Sequence, residues 1–342
     1  MAGFVAFLIR RVANAFVTIV LMIFLVFILV HVVAPTPIDM AKLVSPNPRA
    51  SMQDLEVIAK DHGFYEPIYV QFVHYVEQVL TGNLGTDLQQ GVPEVDLIAQ
   101  YLPISFEMVL AGSILAVLVG LYTGAVSASN RGGATDYAVK GLYLVTWAAP
   151  IFVVAVVVQL VFAFWLKLLP ASGIANPLLA TPARITGFPL IDGILAGDWA
   201  YSWSVVQHMI LPALTLGLAS FGVVTRLTRA TMVDALDKDY VKLAYMKGLP
   251  KRKVVYGTAL RNAMIPIVTL IALIFGTAVG GAVVIEDLFS YRGLGYFAVA
   301  SVYNLNYVAI LAITIVLGIS IIVANFIADV LYGVIDPRVR LS

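Results

Sequence analysis

The sequence predicts an all-α, polytopic membrane protein with six transmembrane helices, and its composition and apolar runs both point to this fold class. Of the 342 residues, 61% are hydrophobic and only 12% are charged, whereas soluble domains carry about 25% charged residues. Six long apolar runs contain no Asp, Glu, Lys or Arg, and about 20 apolar residues of helix cross the hydrocarbon of a bilayer. Helix is the expected form because backbone groups in lipid must bond within their own segment. The predicted spans are Val12–Val33, Met108–Ala128, Gly141–Leu166, Met209–Val224, Ala263–Ile285 and Tyr307–Ala328.

The first apolar run has the basic residues of a secretory signal before it, Arg10 and Arg11. It is longer than the apolar region of a signal peptide, and no small-x-small cleavage site follows it. We therefore expect residues 1–34 to form a cytoplasmic N-terminus and a retained first transmembrane helix.

The basic residues predict which side of the membrane each loop faces. With the N-terminus inside, the inner segments hold most of the 21 lysines and arginines, above all the stretch 226–261. The excess of Lys and Arg in cytoplasmic loops then places both termini in the cytoplasm of a multi-pass protein of the plasma or inner membrane. A net charge of +1 gives no general attraction to nucleic acid. The absence of cysteine excludes disulfides and thiolate metal sites.

The segment 35–103 is too long for a plain connection and has helical periodicity, which predicts a small helical subdomain on the extracellular face. Ser51 and Asp54 have the spacing of a capping box at the start of its first helix. Two further helices are predicted over Pro67–Gly82 and Pro93–Tyr101. The alternative, an unstructured polar loop, does not account for this periodicity.

The second outer loop, Lys167 to Ser204, contains the aromatic residues Trp199, Tyr201 and Trp203. Trp and Tyr commonly anchor a protein at the membrane interface. We favour that role over the alternative, a substrate gate.

The most basic stretch of the chain, Arg226–Arg261, lies between the fourth and fifth predicted spans. Tyr240, Ala244 and Gly248 recur every fourth residue, so they share one face of a helix. Gly248 suits the end of that helix, and Pro250 prevents its continuation. On composition alone, the stretch could serve only to hold this loop in the cytoplasm, and the order of its residues favours a docking surface.

Residues 239–269, DYVKLAYMKGLPKRKVVYGTALRNAMIPIVT, resemble the EAA loop of ABC importer permeases in the form used by the dipeptide and oligopeptide branch. Ala244 and Gly248 match the general pattern of that loop. Leu243 and Lys242 stand where it has alanine and glutamate, and Arg261 stands in the place of a proline. These departures are themselves similar to the peptide branch. Further resemblance to the first of its two permease types, which has an enlarged outer segment, lies in residues 80–93, 169–173, 284–307 and 325–340.

The resemblance implies an ABC type I importer permease fold, with a five-helix core over 104–342 and a cytoplasmic coupling loop over 226–262. It implies membrane lipid, a second homologous permease, two ATPase subunits and an extracellular substrate-binding protein as partners. ATP and Mg would bind to the ATPases, so no cofactor is expected in this chain. The coupling helix is expected over 237–250, and its expected ATPase-coupling residues are Asp239, Tyr240, Ala244, Lys247, Gly248 and Leu249.

The implied function is that of a non-catalytic subunit that forms half of a pathway for peptides or similar oligomeric solutes. Oligosaccharides are the alternative cargo within the same role, and branch members also carry nickel chelates and glutathione. The residues that line the pathway and the identity of the cargo are not readable from the sequence.

Several other functions are disfavoured by what the sequence lacks. There is no G-x-x-x-x-G-K-[ST], so the chain is not itself the ATPase, and there is no H-E-x-x-H or G-x-S-x-G of an intramembrane enzyme. An ion-coupled secondary transporter, the alternative from another class, usually places ionisable residues within its spans. His31 is the only such residue here, and a structural role is expected for it, as for Asn325 and Asp329 at the end of the last span.

Overall fold

The computed structural model describes residues 2–335 apart from 46, 48, 88 and 89, and this part of the chain is built from helices. It contains no strand, only an isolated antiparallel bridge between Thr86 and Pro93. The all-α fold class is therefore confirmed. The helices are α1 (Ala2–Val33), α2 (Pro37–Val44), α3 (Met52–Asp61), α4 (Ile68–Leu80), α5 (Glu94–Ser129), α6 (Ala134–Ala148), α7 (Ile151–Gln159), α8 (Pro189–Leu195), α9 (Trp199–Leu236), α10 (Asp239–Met246), α11 (Leu260–Leu288), α12 (Leu294–Tyr303) and α13 (Tyr307–Ile335). Two further segments, Leu160–Trp165 and Lys253–Ala259, are π-helical.

Four helices of the described chain are individually long and apolar enough to cross a membrane: α1, α5, α9 and α13. They contain the first, second, fourth and sixth predicted spans. The fifth predicted span, Ala263–Ile285, lies within α11. Of the segment 325–340, which resembles the peptide branch, residues 336–340 lie outside the described residues.

The third predicted span, Gly141–Leu166, is not the single continuous helix that its composition suggested. It is divided between α6 and a unit made of α7 and the π-helical segment Leu160–Trp165, and the two parts are bent by 106°. The break falls at Ala149, whose ψ of 131° is extended, and at Pro150. Proline disfavours the helical conformation of the residue before it, which explains the position of the bend.

The centre of the fold is the packing of α5 against α9. Small residues on α5 recur every fourth position, at Gly112, Ala116, Gly120 and Gly124. A Cβ atom added to Gly120 would lie 2.5 Å from Cβ of Val224, so the two backbones approach more closely than a side chain permits. Small residues at this spacing are typical of close helix pairs in membranes.

The outer segment contains one helix more than predicted, because α2 precedes the two helices predicted first. The capping box at the start of α3 is confirmed: Ser51 Oγ accepts the Asp54 amide at 3.2 Å, and Asp54 Oδ2 accepts the Ser51 amide at 3.1 Å. The helix predicted over Pro67–Gly82 is α4. Gly63 and Gly82, with φ of 68° and 79°, follow the ends of α3 and α4.

The helix predicted over Pro93–Tyr101 does not end at Tyr101 but is the first part of α5. Pro103 lies inside this helix and cannot donate a hydrogen bond to the carbonyl of Ala99, four residues earlier. That carbonyl instead accepts a hydrogen bond from Nη2 of Arg184, in the second outer loop. Because the carbonyl freed by the proline has a partner, one helix continues from the outer segment into the core.

Candidate functional site

The predicted coupling helix is α10, which is shorter than the expected 237–250. Asp237 belongs to the end of α9, and Lys238 is the N-cap of α10. Gly248, with a φ of 74°, donates its amide to Tyr245 O at 2.9 Å, and the Leu249 amide bonds to Ala244 O at 3.3 Å. A residue in the left-handed conformation at this position is a common helix end, and glycine adopts it without a steric penalty.

The inner side of α10 packs against the chain itself. Val241 is fully buried and Ala244 is 7% exposed. Both belong to an apolar cluster that includes Met232 of α9 and Val254 and Val255 of the π-helical segment. The face on which Tyr240, Ala244 and Gly248 were expected to lie together is therefore divided, with Ala244 turned inward.

The outer side of α10 is an exposed apolar surface, which we call the α10 patch. Its members are large apolar or aromatic side chains with exposures of 40%, 48%, 77% and 40%, namely Tyr240, Leu243, Met246 and Leu249. Contiguous exposed apolar residues on a folded chain commonly mark a surface covered by a partner. The α10 patch lies at the end of the bundle where α5 and α9 both finish.

Charged residues lie next to the α10 patch in the sequence. Lys242 Nζ donates to Asp239 Oδ1 at 3.0 Å, and this hydrogen bond lowers the pKa of Asp239 below its ordinary value. Lys238, Lys247 and Lys251 are exposed nearby in the sequence. The surface thus combines exposed apolar side chains with neighbouring charged residues, and an apolar centre with a polar rim is the usual anatomy of a protein–protein interface.

A buried carboxylate holds the helices that lead into this region. Asp136, at the start of α6, is completely buried and accepts two hydrogen bonds from Arg229 of α9, from Nε at 2.7 Å and from Nη2 at 2.9 Å. Lys140 Nζ, at 2.9 Å, and Ser127 Oγ, at 2.5 Å, donate to the same carboxylate. Asp136 therefore joins the end of α5, the start of α6 and the last turns of α9.

Sequence reasoning did not single out Asp136. The available signal was one acid placed just after Gly132 and Gly133, in a segment that was predicted to face the basic cytoplasmic side. An acid in the first turn of a helix is common and usually exposed, so sequence alone did not mark it as a buried ion pair.

The other predicted residues occupy varied positions. His31 bonds through Nδ1 to Phe27 O at 2.9 Å and through Nε2 to Gln71 Oε1 at 3.2 Å, which links α1 to α4. Trp199 and Trp203 are exposed, whereas Tyr201 is buried. The side chain of Asp329 lies outside the described residues, so the structural role expected for it stays a prediction.

Two family models match the chain. The model described as binding-protein-dependent transport system inner membrane component matches residues 116–341. An N-terminal model of binding-protein-dependent transport system membrane components matches residues 4–95.

Curated relatives match nearly end to end. The chain is 34% identical to a probable D,D-dipeptide transport system permease protein, DdpB of Escherichia coli, over 92% of this chain and 91% of that protein. It is 31% identical to the dipeptide transport system permease protein DppB of Alkalihalophilus pseudofirmus, over 98% of this chain and 99% of that protein.

One solved structure with a similar fold is the inward-facing MetNI methionine ABC transporter. The TM-score is 0.50 at 12% identity, and the match covers 70% of this chain and 96% of that chain. At this identity the likeness concerns the fold alone.

Proposed function

We propose, because the chain belongs to the family of binding-protein-dependent transport system inner membrane components, that it forms one half of a pathway through which an ABC importer carries peptides. The chain is a multi-pass membrane permease of the dipeptide and oligopeptide branch. It is a non-catalytic subunit of a system whose ATPases and binding protein are separate chains. Its relatives named above are dipeptide permeases, which supports peptides over oligosaccharides, nickel chelates or glutathione as cargo.

Six crossings with both termini in the cytoplasm are the topology we propose. Four long apolar helices, the bent pair α6–α7 and helix α11 correspond one by one to the six apolar runs. The distribution of Lys and Arg supports the orientation. The α10 patch and Asp136 then lie on the cytoplasmic side, and α2, α3 and α4 lie outside.

The α10 patch is the proposed docking surface for an ATPase subunit, and its exposed apolar side chains are the observation that carries this proposal. Tyr240, Leu243, Met246 and Leu249 would contact the ATPase, while Asp239 and Lys247 belong to the charged rim. Ala244 would act from the inside, since a small side chain lets α10 lie close to the rest of the chain. Gly248 would end the helix.

The packing of α10 against the rest of the chain suggests a mechanism of coupling. ATP and Mg would bind between two ATPase subunits, one of which docks on this chain and the other on a second homologous permease. Closure of the ATPases would displace α10, whose buried side transmits the movement to α9 and, through the segment Lys253–Ala259, to α11. A substrate-binding protein would deliver the cargo to the outer face.

The substitution Met246→Glu tests the docking surface. Met246 is 77% exposed, so a charge there should leave the fold intact while placing a desolvated carboxylate in the interface. We expect the assembled importer to lose copurifying ATPase and peptide transport, whereas the apolar control Met246→Leu retains both. If Met246→Glu binds ATPase and transports at the normal rate, α10 is not the docking helix.

A further inference from the structure

A cavity of about 800 Å³ opens beneath the second outer loop, between the start of α5 and the turn that follows α11. Its volume falls in the range of small-molecule sites, about 300–1,000 Å³. The lining includes two arginines from distant parts of the chain, Arg184 and Arg292, and the neutral polar side chains Gln100 and Asn176. The cavity thus offers cationic donors and amide groups together.

Arg184 is held in place by the backbone around it. One guanidinium nitrogen, Nη2, donates to the Ala99 carbonyl left without a helical partner by Pro103. Gly187, with a φ of 85°, lies beside the guanidinium, and a Cβ atom added there would approach Arg184 Nη2 to 3.1 Å. The absence of a side chain at this position makes room for the guanidinium. Arg184 has five N–H donors, and its hydrogen bonds to the described residues leave most of them for a ligand.

The acid of the cavity does not neutralise these arginines directly. Asp192 is buried, and its Oδ1 accepts the amide and hydroxyl of Thr186 at 2.6 and 2.7 Å, while Oδ2 accepts the Gly187 amide at 3.0 Å. Burial acts to raise the pKa of Asp192, and these hydrogen bonds outweigh it and lower the pKa. The carboxylate is occupied in shaping the loop that carries Arg184.

Arg292 also lines the cavity, in the turn between α11 and α12. This turn is tied to the second outer loop by a hydrogen bond from the Gly173 amide to Phe289 O at 2.9 Å. The side chain of Arg292 is exposed, and within the described part of the chain no acid pairs with it. Arg292 therefore brings a second guanidinium to the lining of the cavity, with no counterion among the residues that the structure describes.

We propose that this cavity receives the carboxylate of the transported peptide, through Arg184 and Arg292, after the binding protein releases it. The inference rests on the proposed function and names a recognition site within it. Guanidinium groups bind carboxylates through strong, charge-assisted hydrogen bonds. Gln100 and Asn176 supply amide groups of the type that pairs with a peptide backbone. The cavity is large enough to receive a small solute.

The test is transport of trialanine and of trialanine amide by the complete importer in proteoliposomes, with Arg184→Gln, Arg292→Gln and the control Arg49→Gln. Arg49 is an exposed arginine of the outer segment that does not line the cavity. We expect each cavity variant to lower transport of the free acid about tenfold, the scale of one charge-assisted hydrogen bond, and to change transport of the amide less than twofold. Arg292→Lys should retain part of the rate, and Arg49→Gln should leave both rates unchanged.

For each probe, the transport rate of a variant is divided by the rate of the wild type. Because every assay contains the same binding protein, this ratio removes the binding protein's own preference between the free acid and the amide. An equal loss for both probes, or no loss for either, would overturn the proposal. If the wild-type importer carries only the free acid, a second measurement replaces the amide probe. It compares the affinity of the trialanine-loaded binding protein for the wild-type importer and for each cavity variant, all in nanodiscs. Unchanged docking with reduced transport supports the site, and docking that weakens in step with transport overturns it. A wild-type importer that carries neither probe would overturn this site for tripeptides and would contradict tripeptides as the cargo.

Discussion

Single buried polar residues determine how the loops and helix ends of this protein are arranged. Glu286, fully buried near the end of α11, accepts the amides of Gly295 and Tyr296 at 2.8 and 3.1 Å and so caps the start of α12. Asp87, also buried, accepts a hydrogen bond from Asn306 at 2.7 Å and fixes an outer loop to the start of α13. A buried polar side chain must find a hydrogen-bond partner, and the partner has to lie at one particular place. Such residues therefore fix the positions of loops and helix ends that apolar packing alone does not determine.

Asp136 gives a prediction at this scale. The variant Asp136→Asn keeps the shape of the side chain and removes its charge, which leaves Arg229 and Lys140 without their counterion. Breaking a buried ion pair from one side costs about 3–5 kcal/mol. We expect a clear fall in the apparent melting temperature of the purified importer, measured by dye-free fluorescence, and weaker retention of the ATPase.

The exposed pair Asp39–Lys42 supplies the matched control. It has a similar distance of 2.8 Å, but both side chains are open to solvent. Asp39→Asn should leave the melting temperature nearly unchanged, because exposed ion pairs contribute little. Adding Arg229→Gln to Asp136→Asn should recover part of the loss. Equal effects of Asp136→Asn and Asp39→Asn would show that the buried pair is not a structural tie.

At the scale of helices, the sequence predicted the positions of helices correctly where a single requirement, burial in lipid, determines them. Lipid requires long apolar helices, and each apolar run corresponds to helical structure for that reason. The runs did not show the 106° bend at Ala149–Pro150, although the X-Pro pair was a visible signal for it. They also did not show that α5 passes through Pro103, because this depends on a hydrogen bond from Arg184, which lies far away in the sequence.

For the candidate site, the sequence predicted the position of α10 but not which of its faces is buried. Helical spacing and the Gly248 turn located α10 correctly, since both are local properties of the sequence. Which face of α10 turns inward depends on Met232 and on Val254, which pack against it from other segments. The inward position of Ala244 could therefore not be derived from spacing alone.

The close packing of α5 against α9 gives a prediction about stability. Replacement of glycine by alanine should destabilise the protein at Gly120 and should not do so at Gly141. At Gly120, an added Cβ atom would lie 2.5 Å from Cβ of Val224, whereas at Gly141, in α6, it would meet nothing within 4 Å. Gly120→Ala should destabilise the protein by about 1–3 kcal/mol through overpacking. Gly141→Ala should be neutral or stabilise it by up to about 1 kcal/mol through helix propensity.

Thermal unfolding of the two variants under one condition measures the difference. Ala at Gly120 should lower the melting temperature and the yield of assembled importer, and Ala at Gly141 should lower neither. A Gly120→Ala variant as stable as the wild type would mean that α5 and α9 can move apart without cost, contrary to the close packing seen between them.

At the scale of the whole molecule, the two proposals place function on two surfaces at opposite ends of the bundle. The α10 patch would receive force from an ATPase, and the arginine-lined cavity would receive cargo from outside. Helices α5 and α9 both extend from the region of the cavity to the region of α10, so they provide a continuous packed connection between the two ends. A two-state movement of this pair is the simplest physical route by which an event at one end changes the other.

The proposed topology can be tested directly because the chain has no cysteine. Leu178, in the second outer loop, and Met246, on α10, are 90% and 77% exposed, so a cysteine at either site should react readily if reagent reaches it. In intact cells that produce this chain without the ATPase subunits, which would otherwise cover Met246, a membrane-impermeant maleimide should label Leu178→Cys and not Met246→Cys, and permeabilisation should expose both. The unsubstituted chain is the built-in blank. Labelling of Met246→Cys from outside would reverse the orientation and would remove α10 from the reach of a cytoplasmic ATPase.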